Sequence, residues 1–127
     1  MQDYSMPAEV VALCAIPSDP IPASERLIVA LDVPTIDDAK KIVEQLKGDV
    51  NFYKIGMQLQ FAGGLKYAEE LVKDGKKVFL DSKLLDIPQT ISSAVENVAK
   101  MGVTFLTVHG MMGKAIPAAI KGRGARI

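Results

Sequence analysis

The chain has 127 residues, of which 49% are hydrophobic, and 15 lysines and arginines balance 15 aspartates and glutamates. This composition is typical of a globular domain and argues against a disordered or fibrous chain. The zero net charge excludes binding to nucleic acid through an overall basic field. No apolar run approaches the roughly 20 residues of a membrane helix. We therefore expect neither nucleic acid nor a membrane as a partner.

The cysteine and histidine content limits the possible sites further. Cys14 is the only cysteine and His109 the only histidine. An internal disulfide is therefore impossible, and a structural zinc site would lack ligands. We expect a cytoplasmic protein without a metal site.

Residues 1–24 differ from the remainder of the chain. They contain no lysine or arginine, and they include four prolines at positions 7, 17, 20 and 22. Proline removes a backbone donor and disfavours a helical residue before it. We therefore predict an extended N-terminal extension over residues 1–24, in part disordered, followed by a folded region over residues 25–127.

The first repeating unit of this folded region is an apolar segment followed by a helical one. Residues 26–33 are rich in branched side chains and end at Pro34, which predicts a buried strand. Thr35 then offers an N-cap hydroxyl, and acidic residues follow in the first helical turn. Apolar residues at helical spacing follow, and we expect Gly48 to end this helix.

Three more units of the same kind follow. A proline at position 88 indicates a helix start, and glycines at 75 and 102 indicate helix ends. The predicted strands are residues 50–55, 77–83 and 103–108, and the predicted helices are residues 65–73, 88–101 and 114–120. We expect residues 122–124 to form a loop.

Alternation of strands and helices predicts an α/β fold with a parallel sheet, because each parallel strand needs a crossover connection. Strands that are apolar almost throughout indicate a sheet covered on both faces. Two architectures remain open on this pattern alone. One is a small open doubly wound sheet, and the other is a half-barrel, the first four βα units of a (β/α)₈ TIM barrel of about 250 residues.

Polar residues occur near the carboxyl end of every predicted strand. They are Asp32, Lys54, the pair Asp81 and Lys83, and His109. In open α/β sheets and in barrels alike, ligands bind at this edge. Each residue alone has a structural explanation, but their recurrence on four consecutive strands predicts a site.

The densest group of charges lies between residues 81 and 86. Alternation along a strand places Asp81 and Lys83 on one face, and Asp86 follows in the loop, from which it can turn toward them or toward another subunit. With Lys54 from the neighbouring strand, the cluster contains two ammonium groups and two carboxylates. Opposite charges about 4–6 Å apart keep each other ionised, and a lysine held in this way can donate a proton. A structural ion-pair network is the alternative, but such networks stabilise poorly when buried.

The motif from Asp81 through Lys83, Asp86, Ile87 and Pro88 to Thr90 resembles the signature of the orotidine 5′-phosphate decarboxylase family. The resemblance extends to residues 31–33, 53–56 and 107–109. It covers residues 25–127, and the four segments agree in order and spacing.

This resemblance implies a TIM-barrel homodimer of which residues 25–127 are the N-terminal half. It also implies decarboxylation of orotidine 5′-phosphate to UMP in de novo pyrimidine biosynthesis, with neither a metal nor an organic cofactor. Lys83 would protonate C6 of the substrate as the carboxylate leaves, and Asp81 would lie beside that carboxylate.

The resemblance also assigns the remaining site residues. Asp32 and Lys54 would contact the ribose and hold the charge network, and Asp86 would reach into the neighbouring subunit's site. Ile87 would contact the substrate, and Thr90 would fix its ribose or phosphate end. We expect His109 to have a structural or supporting role.

The chain departs from the family pattern at Ser82 and Leu85, where the family often has leucine and histidine. In the family, four further βα units follow and supply the loops that bind the substrate phosphate, so the activity of these 127 residues alone stays open. A non-catalytic half-barrel that self-associates is one alternative. A related sugar-phosphate decarboxylase is another, although those relatives use magnesium and usually have glutamate at the position of Lys54.

Overall fold

The computed structural model describes residues 20–111, 113–124 and 127. Most of the predicted N-terminal extension, residues 1–19, lies outside this part of the chain. Pro22 precedes a short 3₁₀ helix at Ala23–Glu25, so the end of the predicted extension is partly helical. Within the described ranges, no helix combines the length and the apolar character needed to cross a membrane.

Four strands alternate with four helices, as the sequence predicts. The strands are β1 Val29–Ala30, β2 Phe52–Gly56, β3 Lys77–Leu84 and β4 Phe105–Val108. The helices are α1 Ile36–Gln45, α2 Leu65–Lys73, α3 Pro88–Met101 and α4 Ala115–Arg123. A helical turn at Met57–Leu59 continues into a π-helical turn at Gln60–Gly64, which leads into α2.

The strands form one parallel sheet in the order β1-β2-β3-β4. Each crossover therefore moves to the adjacent strand in the same direction. A doubly wound sheet would need a reversal of strand order, whereas a barrel does not. The open choice between the two architectures is decided in favour of the half-barrel.

The main hydrophobic core lies between the outer face of the sheet and the helices. Leu31, Tyr53, Ile55, Val78 and Leu80 are fully buried there. Their helical partners include Ala39 of α1 and Ala68 and Leu71 of α2. Burying one large aliphatic side chain contributes about 1.5–3 kcal/mol, so this layer holds the strand ends in place.

The inner face of the sheet carries a cluster of three phenylalanines. The ring centroid of Phe105 lies 5.4 Å from that of Phe52 and 6.0 Å from that of Phe79. Phe105 nevertheless remains 50% exposed. In the part of the chain described here, helices cover the outer face of the sheet, whereas the inner face leaves Phe105 half-exposed. The prediction of a sheet covered on both faces therefore holds for the outer face.

The local helix signals are confirmed. The Thr35 hydroxyl accepts a hydrogen bond from the Asp38 amide at 3.1 Å, which satisfies a free donor at the start of α1. Pro88 is the first residue of α3, and Gly102 ends that helix in the left-handed conformation with φ 79°.

Most boundaries lie within two residues of the prediction, and the largest differences are in the first strand and the last helix. The strand expected over residues 26–33 is only two residues long, and Leu27 is 59% exposed, because β1 lies at the sheet edge with β2 as its one neighbour. Gly122 and Arg123, expected in a loop, belong to α4. At Gly122 a Cβ atom would lie 2.2 Å from the Ser92 carbonyl oxygen, so glycine permits the close packing of α4 on α3.

Candidate active site

Four charged side chains meet at the carboxyl edge of the first three strands. The Lys54 Nζ lies 3.1 Å from Asp32 Oδ1 and 3.5 Å from Asp81 Oδ2. The Lys83 Nζ lies 2.7 Å from the same Asp81 Oδ2. The charges thus alternate along the series Asp32, Lys54, Asp81, Lys83, which we call the charge series.

Solvent exposure differs between the middle and the ends of the charge series. The side chains of Asp81 and Lys54 are 15% and 21% exposed, whereas those of Lys83 and Asp32 are 52% and 60% exposed. The middle pair is therefore fixed within the edge of the sheet. The Lys83 ammonium has an open side on which a ligand can approach.

Asp81 is the centre of the charge series. The hydrogen bond from Lys83 lowers the pKa of the Asp81 carboxyl below its usual value, and a hydrogen bond from the Thr107 hydroxyl and the charge of Lys54 act in the same direction. Partial burial raises the pKa but is outweighed. Asp81 is consequently a carboxylate at neutral pH and holds both ammonium groups in position.

A β-bulge brings Asp81 and Lys83 together. Leu80 pairs with Leu106 and Leu84 pairs with Val108, so residues 81–83 of β3 lie opposite the single residue Thr107 of β4. Lys83 adopts a left-handed backbone conformation with φ 49°. The sequence argument expected the pair to meet through regular strand alternation. The two side chains do meet, but on an irregular backbone of the kind that often redirects side chains near active sites.

Gly56 makes room for the other end of the charge series. A Cβ atom at this position would lie 2.9 Å from Asp32 Oδ1 and 3.4 Å from Lys54 Nζ. Any larger residue would compete with the contact between Asp32 and Lys54. The sequence argument included Gly56 in the segment that resembles the family and at the end of a predicted strand, but it did not identify this close approach.

A second polar contact supports β3 from its outer face. The Ser82 hydroxyl donates to Gln60 Oε1 at 2.8 Å, and the Gln60 amide donates to the Ile55 carbonyl oxygen at 2.9 Å. This contact joins the π-helical turn to the strand that carries Asp81 and Lys83. A serine between Asp81 and Lys83 in β3 was the available signal, but the sequence does not identify its partner.

The other predicted site residues lie apart from the charge series. Asp86 is exposed, and its Oδ1 accepts a hydrogen bond from the Ile87 amide at 2.7 Å. Ile87 is 60% exposed as the N-cap residue of α3, and Thr90 is exposed in the first turn of that helix. The His109 backbone amide donates to the Leu84 carbonyl oxygen at 2.9 Å, which closes the bulge, and the role of the His109 side chain stays a prediction.

The charge series is an ion-pair network in which ammonium groups and carboxylates alternate. In the described ranges, no three histidine, cysteine or acidic residues are grouped so that they could hold a metal ion. The position between Asp32 and Asp81, where a cation would neutralise both carboxylates, is held by the Lys54 ammonium.

Comparisons with known proteins show which family and which solved structures the chain resembles. The sequence profile of the Orotidine 5′-phosphate decarboxylase / HUMPS family matches residues 25–125. The solved structure of an orotidine 5′-phosphate decarboxylase from Lactobacillus acidophilus is similar, with 38% identity and a TM-score of 0.71 over 77% of this chain and 45% of that one. An uncharacterized conserved protein from Geobacillus kaustophilus has 33% identity and a TM-score of 0.71 over 79% and 49% of the two chains. The chain thus spans about half the length of these two structures.

Proposed function

The chain belongs to the Orotidine 5′-phosphate decarboxylase / HUMPS family, and from this premise we propose that it carries the proton-donating half of an orotidine 5′-phosphate decarboxylase site. The reaction forms UMP and CO₂ in cytoplasmic pyrimidine biosynthesis, without a metal or an organic cofactor. The observation that carries the proposal is the charge series with the exposed Lys83 ammonium at one end.

Lys83 is the proton donor in this proposal. When the bond between C6 and the carboxylate breaks, CO₂ leaves and the electron pair remains on C6. The Lys83 ammonium transfers one proton to C6 and becomes a neutral amine, which then takes a proton from solvent. Before the transfer, its positive charge stabilises the electron pair that develops on C6.

Asp81 positions this donor. Its Oδ2 lies 2.7 Å from the Lys83 Nζ, and its low pKa keeps the carboxylate charged at neutral pH. An ion pair that is already assembled needs no reorganisation when charge develops in the substrate. In the proposed complex, Asp81 lies beside the substrate carboxylate, and Asp32 and Lys54 contact the ribose.

Asp86, Ile87 and Thr90 are assigned to a site shared between two subunits of a homodimer. Their exposure at the end of β3 and the start of α3, apart from the charge series, supports this assignment. The dimer would place these residues against the substrate of the partner.

A magnesium-dependent sugar-phosphate decarboxylase is the second candidate within the family. Magnesium binds through oxygen ligands such as carboxylates and water. The Lys54 ammonium lies 3.1 Å from Asp32 and 3.5 Å from Asp81, so it already neutralises the carboxylates that a magnesium ion would use. This contact favours the metal-free reaction.

The test is an ultraviolet absorbance assay for loss of orotidine 5′-phosphate. The chain is assayed alone and as a fusion in which the second half of the Lactobacillus acidophilus enzyme follows the fourth βα unit. We expect the fusion to be active and Lys83→Ala to reduce kcat by about 10²–10⁴-fold, the usual contribution of a general acid. Lys100→Ala, on an exposed lysine of α3 that pairs with Glu96, is the matched control.

Three outcomes would overturn the proposal. They are a folded fusion that does not turn over orotidine 5′-phosphate, an unchanged rate in Lys83→Ala, and a rate that disappears with EDTA and returns with magnesium.

Light scattering on the chain alone tests the alternative of a non-catalytic half-barrel. The half-exposed Phe105 gives that alternative its surface, and a stable oligomer together with an inactive fusion would favour it.

A further inference from the structure

We propose that Thr107 is a positioning residue that holds Asp81 and Lys83 in the proton-donating arrangement; this inference rests on the function proposed above. Thr107 is the one residue of β4 that lies opposite the three bulged residues of β3. Its hydroxyl is bonded to both members of the pair.

The direction of both hydrogen bonds follows from the chemistry of the groups. The Lys83 backbone N–H can only donate, so the Thr107 Oγ1 accepts from it at 2.9 Å. The single hydroxyl proton is then free to be donated to Asp81 Oδ1, also at 2.9 Å. One side chain thus fixes the backbone of Lys83 and the carboxylate of Asp81 at once.

The hydroxyl receives a backbone donor that the bulge has turned toward β4. Lys77 bonds through its N–H to the Asn51 carbonyl oxygen on the β2 side, and regular alternation would point the Lys83 N–H the same way, but after the bulge it meets Thr107 on β4. Lys83 also has φ 49°, a conformation that non-glycine residues keep only where the surroundings hold it. The bond to Thr107 is the contact that holds it on the β4 side.

The hydroxyl also decides which Asp81 oxygen faces the lysines. Oδ1 is taken by Thr107, and Oδ2 lies 2.7 Å from Lys83 Nζ and 3.5 Å from Lys54 Nζ. Without the hydroxyl, the carboxylate could rotate and the ammonium would lose its fixed partner atom. A displacement of about 1 Å at a reacting group can cost about 10²-fold in rate.

The first experiment uses the 127-residue chain and does not depend on activity. Carbon-detected NMR measures the pKa of the Asp81 carboxyl, and hydrogen exchange measures the protection of the Lys83 amide, in Thr107→Val and Thr107→Ser. Valine keeps the shape of threonine and removes the hydroxyl, and serine keeps the hydroxyl. We expect a higher Asp81 pKa and faster Lys83 exchange in Thr107→Val, with both values restored in Thr107→Ser. Thr104→Val, at the position just before β4, is the control.

The second experiment measures kcat and KM in the fusion described above. Thr107→Val should lower kcat by about 10–100-fold and change KM less than about twofold, because the donor and not the binding surface is disturbed. Thr107→Ser should recover most of kcat. The acid limb of the pH profile of kcat should move to higher pH in Thr107→Val, which a general loss of folding would not produce.

The two experiments separate the two proposals. An unchanged Asp81 pKa and unchanged Lys83 exchange in Thr107→Val would overturn the role of Thr107, whatever the fusion does. An active Lys83→Ala fusion would overturn the proposed reaction, and the NMR result would still decide whether Thr107 holds the pair. A KM effect without a kcat effect would make Thr107 a substrate contact and contradict the inference.

Discussion

The left-handed backbone of Lys83 predicts an inverted order of stability between two substitutions. With φ 49°, a residue bearing a Cβ is strained, whereas glycine is not. We compare Lys83→Gly with Lys83→Ala in the same chain. Both variants lose the contact with Asp81 Oδ2, so the energy of that ion pair cancels in the difference between them.

The magnitude follows from two opposing effects. The left-handed conformation costs a residue with a Cβ roughly 1–2 kcal/mol, which Lys83→Gly recovers and Lys83→Ala does not. Glycine loses about 0.5–1 kcal/mol relative to alanine through its greater freedom in the unfolded chain. We therefore expect Lys83→Gly to exceed Lys83→Ala in free energy of unfolding by about 0.5–1 kcal/mol.

The assay is urea unfolding followed by circular dichroism, with both variants measured at the same pH and salt concentration. Asn97, an exposed residue within α3, provides the control. There Asn97→Ala should be more stable than Asn97→Gly by about 1 kcal/mol, the ordinary helical order. If Lys83→Ala were as stable as Lys83→Gly while the control behaved normally, the strain at Lys83 would be refuted.

Three further substitutions test other parts of the fold. Gly122→Ala should destabilise by about 1–2 kcal/mol in thermal unfolding, because the overlap with the Ser92 carbonyl at 2.2 Å outweighs the better helix propensity of alanine; an equal or higher Tm would contradict the close packing. Thr35→Ala should cost about 1 kcal/mol in urea unfolding through loss of the cap on the Asp38 amide, and Thr35→Ser should restore it. Burial raises the pKa of the Tyr67 phenol to about 12, and nearby acidic groups add a smaller effect. The protonated phenol therefore stabilises the fold fully below about pH 10, and this contribution to the free energy of unfolding is lost between about pH 10 and 12. Tyr67→Phe should remove this loss in alkaline unfolding, and an unchanged pH dependence would refute it.

Features of the fold that depend on neighbouring residues in sequence could be predicted. Thr35 begins α1, Pro88 begins α3 and Gly102 ends α3, because capping and backbone preference act within one helical turn. The strand and helix order also followed from periodicity, and with it the α/β class. The choice of the half-barrel needed the strand order, which is a property of the whole sheet.

The candidate site could be predicted in its residue types and only partly in its geometry. Asp32, Lys54, Asp81 and Lys83 were all identified as polar residues at strand ends, and the structure brings these four side chains together. Sequence reasoning placed Asp86 in the loop after the strand, and the structure agrees; its assignment to a site shared between subunits stays a prediction. Neighbouring strands determine which carboxylate faces which ammonium, so sequence spacing alone does not decide it.

The amino-acid sequence alone determined the alternation of strands and helices, the ends of the helices, and the presence of lysine and aspartate side chains at the carboxyl edge of the sheet. Only the tertiary structure decided the bulge that sets three residues of β3 opposite Thr107, the strained backbone of Lys83, and the close approach of Gly56 to the side chains of Asp32 and Lys54. The physical reason is that these features arise where segments distant in sequence share one small space. Hydrogen bonds and van der Waals contacts between those segments then select a backbone that no local preference would favour.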